Sequence, residues 1–545
     1  MIFADAWKDF SEYSEESSIH SMQYIGRQHL HFFERLFWIC AFLFSFSACS
    51  YLIYRTYDRW VNDPVLFTFN KQPTPTWKIP FPALTICPDA KINVDLFNLS
   101  EALNIADTYG YMNDEKMAKF QSIYQICDGI KTYPRSFFLS DEVSNKSHAR
   151  RLIEMTNEIL INARYISNED RKETFHKIVT NEGVCHTFNM LDEKDLYRKV
   201  MAQRLRFPKH GERSHWSNFG YGNDKKPETY PHRILGSGKK AGLTVLLGMR
   251  KKDIDFACSN GTAGFRLTLH TPDEFPRPDF KYLTIPFNMM SLISVIPQVL
   301  TTSKNLKNYE PRKRKCYFQG EKQLKFFKHY TQSNCKLECL TEFVRKKCGC
   351  VKFSMPHENT TKMCTSTDIK CMETAESDLI MSELEKKIKE DVTKAASPPM
   401  VVNSPVIPIM VSNMKLKKVS ETKACGCLPS CSSIFYNTEM SQTLFDVVQS
   451  QRDVASDRSK TEEFKDKADD YIFSKFEIYF KEDEFIESKR TELYGWTNFL
   501  SNCGGFLGLL MGGSLLSLVE IFYHCTMKNF FKRRREMKER VVSLD

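Results

Sequence analysis

The sequence predicts a two-span α-helical membrane protein whose spans bracket a large disulfide-rich α+β domain. Three observations predict it. Residues 36–54 and 493–519 carry no formal charge, and about 20 helical residues suffice to cross a hydrocarbon core roughly 30 Å thick. Fourteen of the 18 cysteines lie between those windows. The residues between them also mix strand-like alternation with charged helical patches. With 42% apolar residues in a chain of 545, too little is greasy for a many-span transporter.

Residues 1–35 precede the first span, residues 36–54, which lies between Arg35 and Arg55. A cleaved signal peptide is the rival reading, but the window begins late and lacks a small-residue cleavage site after a short apolar core, so we read a retained anchor. Two spans put both termini on one side. The basic tail KNFFKRRREMKER favours the cytosol for that side, whereas residues 1–35 sum to −3 and mildly oppose it. Cysteines break the tie: an even number between the spans suits disulfides in an oxidising compartment. Residues 55–492 are therefore expected outside the cell, in a multi-pass plasma-membrane protein with residues 525–545 as a cytoplasmic tail. Sequons at Asn98, Asn145, Asn260 and Asn359 agree but weigh little, because roughly three arise by chance in such a length. Residues 36–519 sum to +10; a field of that sign does not concentrate cations, and any cation preference must come from local groups.

After the first span, NKQPTPTWKIPFPALTICP reads as an extended connector entering a strand. Residues 90–240 carry charged helical patches and the segment TNEGVCHTFN. LTVLLGM, GFRLTLHTPDE and FSKFEIYF alternate as half-buried strands. Ten cysteines fall between Cys316 and Cys431. A zinc cluster is their rival reading, but no Cys-x-x-Cys pair repeats and the compartment is oxidising, which favours disulfides. Within that region SDLIMSELEKKIKEDVTKAA reads as an exposed helix, and SPPMVVNSPVIPIMV as a proline-interrupted loop. The chain shows no internal repeat.

The last apolar window, residues 493–524 with its flank, contains GFLGLLMGGSLLSLVEIFYH. Each glycine in a helix costs about 1 kcal/mol relative to alanine. Two readings compensate that cost. Gly504, Gly508 and Gly512 have the small-xxx-small spacing of close membrane packing, and residues 512–514 can break the helix to bare main-chain oxygens toward a cavity. The glycines alone support both.

SSIHSMQYI, FPALTICP, GVCHTFN, YTQSNCKLECLTEFVRKKCGCVKFSMP, CGCLPSC and NCGGFLGLLMGGSLLSLVE occur in this order over nearly the whole chain. Together they resemble the epithelial sodium channel, degenerin and acid-sensing channel superfamily; NLKNYEPRKRKCYF and RTELYGWTNFL resemble its arthropod pickpocket branch. The resemblance implies a trimeric sodium channel with palm, thumb, finger and knuckle regions. It implies nested bridges Cys316 to Cys431, Cys335 to Cys427, Cys339 to Cys425, Cys348 to Cys371 and Cys350 to Cys364, with Cys87 to Cys185, which leaves Cys127 for Cys258. It implies that Gly512, Gly513 and Ser514 form the selectivity filter, with Gly505 and Gly508 along the pore. Ser501 falls where bulky side chains hold such pores open. Asn502 resembles the epithelial members, whereas acid-sensing members have aspartate there, so a ring of charge is missing. Glu482, Asp483, Glu484 and Glu487 could replace it, or form a solvated surface run. Glu520 is expected to face the pore, its alternative being snorkelling to the interface.

His20-Ser21 stands where the family has His-Gly before the first span, a gating motif; His20 could also be an ordinary surface residue. Serine is less suited than glycine to a left-handed turn, so either the re-entrant conformation differs or the subunit opens poorly alone and works best in a heteromer. The stretch from Cys371 to Cys425 exceeds the family's thumb segment and is expected to project from it. The function expected is a subunit of a sodium-selective, voltage-insensitive, amiloride-sensitive cation channel gated by an extracellular chemosensory, mechanical, osmotic or proton stimulus. Its partners are the permeant sodium ion, identical or related subunits and the bilayer; no cofactor, resident metal or nucleic acid is expected. Two alternatives remain: an ATP-gated type of trimeric channel, for which LGSGKKAGL and EPRKRKC are basic enough to consider, and a non-conducting two-span receptor or auxiliary subunit. No nucleophilic elbow, zinc-ligand helix or phosphate loop suggests an enzyme.

Overall fold

The computed structural model describes residues 11–534 except positions 12, 15, 28–29, 63, 128–129, 131–132, 139–144, 166–167, 199–215, 217–220, 222–228, 396–424, 448–468, 494, 529 and 532–533. The expected proline-interrupted loop and most of the basic tail lie outside the described residues, as does the side chain of Asn145. The chain forms two compact units.

The first unit holds the described parts of residues 1–68, 302–315 and 490–545. Its helix Phe32–Asn62 is 31 residues long, about 46 Å at 1.5 Å per residue, and extends past the uncharged window at both ends. Apolar side chains are bare along it: Phe37 is 65% exposed and Phe44 77%, as a helix surrounded by lipid requires. The second apolar window is two helices, Trp496–Met511 and Leu515–Phe522, bent by 71° at their junction. Antiparallel packing against Phe32–Asn62 is aromatic: Trp60 stacks on Phe499 at 4.8 Å and meets Trp496 at 5.8 Å. Leu493 N–H donates to the Pro64 carbonyl at 2.8 Å, closing the junction above both helices. Residues 302–315 join here, with Ser303 N–H on the Arg490 carbonyl at 2.8 Å and the Tyr309 hydroxyl on Glu492 at 2.6 Å.

The second unit, residues 69–301 and 316–489, is built on two sheets. Ser433–Leu444, Met289–Thr302, Tyr471–Phe480, Leu243–Arg250, Leu160–Tyr165 and Asn168–Glu173 lie side by side in one. Met289–Thr302 and Tyr471–Phe480 run parallel, with Met290 opposite Lys475 and Val295 opposite Phe480. The second sheet orders Leu283–Pro286, Gly264–His270, Ala83–Pro88, Gly183–Phe188 and His176–Thr180, all antiparallel. The predicted strands LTVLLGM, GFRLTLH and FSKFEIYF are thus present. Leu84, Ile86, Val245, Leu247, Phe265, Phe476 and Ile478, each fully buried, form the core shared by the two sheets. Beside it Lys91 pairs with Glu182 at 2.6 Å, and Arg266 with Glu182 at 2.9 Å and Asp89 at 3.0 Å, so these buried charges compensate one another.

Helices Leu99–Tyr109 and Asp114–Tyr124 start on asparagine caps, Asn98 accepting from Glu101 N–H at 3.0 Å and Asn113 from Lys116 N–H at 2.8 Å. They share a core with Gln332–Cys348 and the start of Ile369–Ala395 through Phe120, Ile123, Val344 and Ala375. The predicted exposed helix is the part of Ile369–Ala395 from Ser377 onward; the helix begins earlier than its charge pattern suggested. All seven expected disulfides are formed, including the five nested ones from Cys316–Cys431 inward to Cys350–Cys364. Bonded sulfurs are not thiolate ligands, so the zinc reading of these cysteines fails. Asn98, Asn260 and Asn359 are exposed.

Candidate functional site

The helix Trp496–Met511 stops because Gly512 turns left-handed, at φ +67°. Its N–H donates to the Gly508 carbonyl at 3.0 Å, and Gly513 N–H reaches back to Leu507 at 3.1 Å. Ser514 then caps the next helix: Ser517 N–H donates to its Oγ at 3.3 Å while Ser514 N–H donates to the Ser517 Oγ at 3.0 Å. A reciprocal cap of this kind satisfies two orphan donors at once. Among the described residues no backbone donor reaches the carbonyls of Gly512 and Gly513. Their oxygens are therefore chemically available as hard ligands.

A second element approaches this break from the amino terminus. His20 N–H donates to the Met511 carbonyl at 2.9 Å, and a Cβ placed on Gly512 would lie 2.7 Å from the His20 ring. Ser18 Oγ shares a hydrogen bond with Ser517 Oγ at 2.7 Å and donates to Glu520 Oε2 at 3.0 Å. Glu16 meets His524 at 3.3 Å, and Tyr13 lies edge-on to the same ring. Ser21 adopts φ +72°, the left-handed conformation expected of the glycine it replaces. A serine there costs about 1 kcal/mol or more, so the turn is made and carries strain. Tyr24 stacking on Trp38 at 4.3 Å fastens the segment to the first apolar helix.

Along Trp496–Met511 the positions 501, 505, 508 and 512 fall on one stripe at 3.6 residues per turn, roughly opposite Phe499 and its partner Trp60. Ser501 is exposed and Asn502 half-buried on that helix. A Cβ at Gly504 or Gly505 would meet no atom within 4 Å, so these small residues are not used to pack the chain's own helices together. Gly508 has a single neighbour at 3.9 Å, the Gly513 carbonyl. Glu520 is held by Ser18 rather than left free. Ser18, Ser517, Glu16 and His524 escaped the sequence reading; the only local signal was the Ser-x-x-Ser spacing of a cap at 514 and 517.

In the second unit, Glu482, Asp483 and Glu484 are exposed, while Glu487 accepts from Asn70 Nδ2 and Thr74 Oγ1, both at 2.8 Å. Glu487 is thereby committed to holding the connector. A cavity of about 50 Å³ is lined by Thr271, Asp273, Glu274, Tyr330, Pro429 and Phe435. Burial, and then the neighbouring Asp273 charge, push Glu274 up to about 7, and burial raises Asp273 as well. Thr271 Oγ1 donates to Asp273 at 2.7 Å. Glu274 can therefore take up a proton near neutrality.

Comparison with known proteins gives a consistent answer. The family model described as amiloride-sensitive sodium channel matches residues 13–524. Pickpocket protein 28 of Drosophila melanogaster is 23% identical over 543 residues, covering 96% of this chain and 79% of that protein. The sodium channel protein Nach of the same fly is 23% identical over 384 residues, 67% of each chain. Acid-sensing ion channel 1C of Danio rerio is 21% identical over 528 residues, covering 94% of this chain and 82% of the fish protein.

Proposed function

The chain belongs to the amiloride-sensitive sodium channel family, and on that premise we propose that it is a pore-forming subunit of a sodium-selective, voltage-insensitive, amiloride-sensitive cation channel. It assembles as a trimer, with itself or with related subunits, in the plasma membrane. Both termini are cytoplasmic, two spans cross the bilayer, and residues 55–492 receive an extracellular stimulus. The observation that carries this reading is the interruption of the last apolar helix at residues 512–514. A small hard cation must exchange hydration water for oxygen ligands, and unwound main chain is tolerated at membrane depth only where it lines a cavity. Three copies of the Gly512, Gly513 and Ser514 backbone supply such a ring. Ser501, Asn502, Gly505 and Gly508 line the path above it, and Glu520 with Ser18 lies beyond it.

Voltage-clamp recording from cells expressing the chain alone and with relatives tests this, using an enlarged residue at Ser501 to hold the pore open. Replacing external sodium by potassium is expected to reduce inward current, and substitution at Ser514 to change that ratio. A current indifferent to residues 512–514 rejects the filter. Saturable activation by ATP supports the ATP-gated alternative, and no current with any relative supports a non-conducting receptor.

Among stimuli, protons are favoured by Glu274, which lines a cavity beside Asp273 and whose carboxyl burial pushes up to about 7. Glu274→Gln is then expected to blunt a proton response between about pH 7.5 and 6. An unchanged pH response removes Glu274 from gating.

A further inference from the structure

Residues 302–315 take no part in the ion path, yet they carry Lys304, Lys307, Arg312, Lys313, Arg314 and Lys315 against one acid, Glu310. Arg314 is buried and spent on structure, its Nη1 donating to the Lys307 carbonyl at 3.1 Å and the Tyr309 carbonyl at 2.6 Å. That curl gathers the remaining cations on a short segment. Lys304, Lys307, Arg312 and Lys315 are exposed and Lys313 half-buried. Among the described residues none of the five forms an ion pair. Elsewhere this chain pairs many of its exposed cations, as Lys252 does with Asp95 at 2.7 Å and Lys481 with Glu439 at 2.7 Å. Like charges crowded without acids repel, and an outside anion relieves that repulsion.

The position of the segment selects the anion. The Tyr309 hydroxyl donates to Glu492, and Ser303 N–H to the Arg490 carbonyl. Glu492 lies one turn ahead of the helix that begins at Trp496. Trp60, stacked with Phe499, lies six residues past Tyr54 at the end of the uncharged window, about 9 Å along a helix. The headgroup zone extends roughly 5–8 Å beyond the hydrocarbon on each face, and tryptophans concentrate at that depth. The backbone of the segment therefore stands on the aqueous side of the lipid phosphates, and its lysine and arginine side chains are long enough to snorkel back toward them.

We propose that residues 302–315 form a collar for the phosphates of outer-leaflet phospholipids, with Lys304, Lys307, Arg312 and Lys313 as the contacts. The collar rests on both apolar helices lying in one bilayer and is independent of conduction. It anchors the outer ends of the two helices, through Tyr309 and Glu492, to the lipid surface, so headgroup charge becomes a load on the pore helix.

The test compares the full-length chain with a Lys304→Gln, Lys307→Gln, Arg312→Gln, Lys313→Gln variant, both purified in neutral detergent with added phosphatidylglycerol or phosphatidylcholine. Native mass spectrometry counts the lipids retained. The wild type is expected to keep phosphatidylglycerol on the order of tenfold more than the variant, the difference shrinking as salt is raised. Cytoplasmic cations, common to both, set an equal background. Lys304→Arg, Lys307→Arg is expected to retain lipid as the wild type does. Disulfide mapping certifies the fold; should the quadruple variant misfold, the Lys304→Gln, Lys307→Gln and Arg312→Gln, Lys313→Gln pairs replace it, each losing part of the retention. Equal retention by wild type and variants overturns the collar. So does a sulfated polysaccharide that binds the wild type alone while lipid retention stays the same, which reassigns the surface to a soluble polyanion. Lipid retention without any ionic current separates failure of the channel reading from failure of this one.

Discussion

A Cβ on Gly512 would lie 2.7 Å from the His20 ring, at a φ of +67° where an L side chain costs about 1–2 kcal/mol. Gly513 carries neither constraint, its nearest neighbour being the Leu507 carbonyl at 3.8 Å. Gly512→Ala is expected to disrupt the turn and abolish or strongly reduce current, while Gly513→Ala retains most of it; equal losses at matched surface expression would contradict the packing described. Titration at single residues gives a second expectation. Glu274 is raised to about 7 by burial, so its contribution to stability is fully present below about pH 4.5 and is lost as pH rises through 7. His186 and His270 are depressed to about 4, again by burial. Their contribution is present above about pH 6.5 and lost as pH falls through 4. Acidification from pH 7.5 therefore first relieves Glu274 and then loads the histidines. Thermal melts of Glu274→Gln against wild type are expected to differ in slope between about pH 5 and 7.5, the variant lacking the gain on mild acidification; parallel profiles would count against it.

At the level of elements, the five nested disulfides are not five independent loops. Cys350 and Cys364 are 14 positions apart, and an isolated loop of that size is worth about 3 kcal/mol by chain entropy. Cys316 and Cys431 are 115 apart, for which the isolated value is about 4.7 kcal/mol. With Cys335–Cys427 intact, however, the outer bridge closes only residues 316–335 and 427–431. Removing either pair by serine is thus expected to cost about the same, roughly 3 kcal/mol, read as similar shifts in the melting of the full chain; a much larger cost for the outer pair would mean that the inner ladder does not restrain it. Sequence made part of this architecture plain and hid part. FSKFEIYF and GFRLTLH announce themselves because apolar and polar residues alternate along them, although both faces of each are largely buried. Met289–Thr302 buries alternate residues more cleanly, yet Pro297 breaks the pattern; it is accommodated beyond Val295, where pairing with Tyr471–Phe480 has ended. Ser433–Leu444 buries little besides Tyr436 and so has no apolar rhythm to read. The helix break was legible because glycine and serine encode it locally. Ser18 was not, because its partners Ser517 and Glu520 lie about five hundred residues away and no local pattern marks such a pair.

At the scale of the molecule, a solitary chain leaves two features without a purpose. Gly504 and Gly505 face open space, although each glycine costs its helix about 1 kcal/mol against alanine. Lipid gains nothing from that bareness, whereas a neighbouring helix can approach a glycine face closely enough to recover the cost in packing. Likewise the oxygens of Gly512 and Gly513 would be stranded in hydrocarbon, but become ligands once an axis filled with water and ions passes beside them. Assembly around such an axis answers both, on the stripe shared by Ser501, Gly505 and Gly508. Gly505→Val is then expected to leave all seven disulfides formed while lowering the trimer fraction, since overpacking a close contact costs about 1–3 kcal/mol at each interface. Leu500→Val, off that stripe on the same helix and half exposed, controls for a β-branched residue in the helix. Native gels and crosslinking of the two variants read the difference. Were Gly505→Val to assemble as completely as Leu500→Val, the glycine stripe would face lipid, and the axis proposed beside it would have to lie elsewhere.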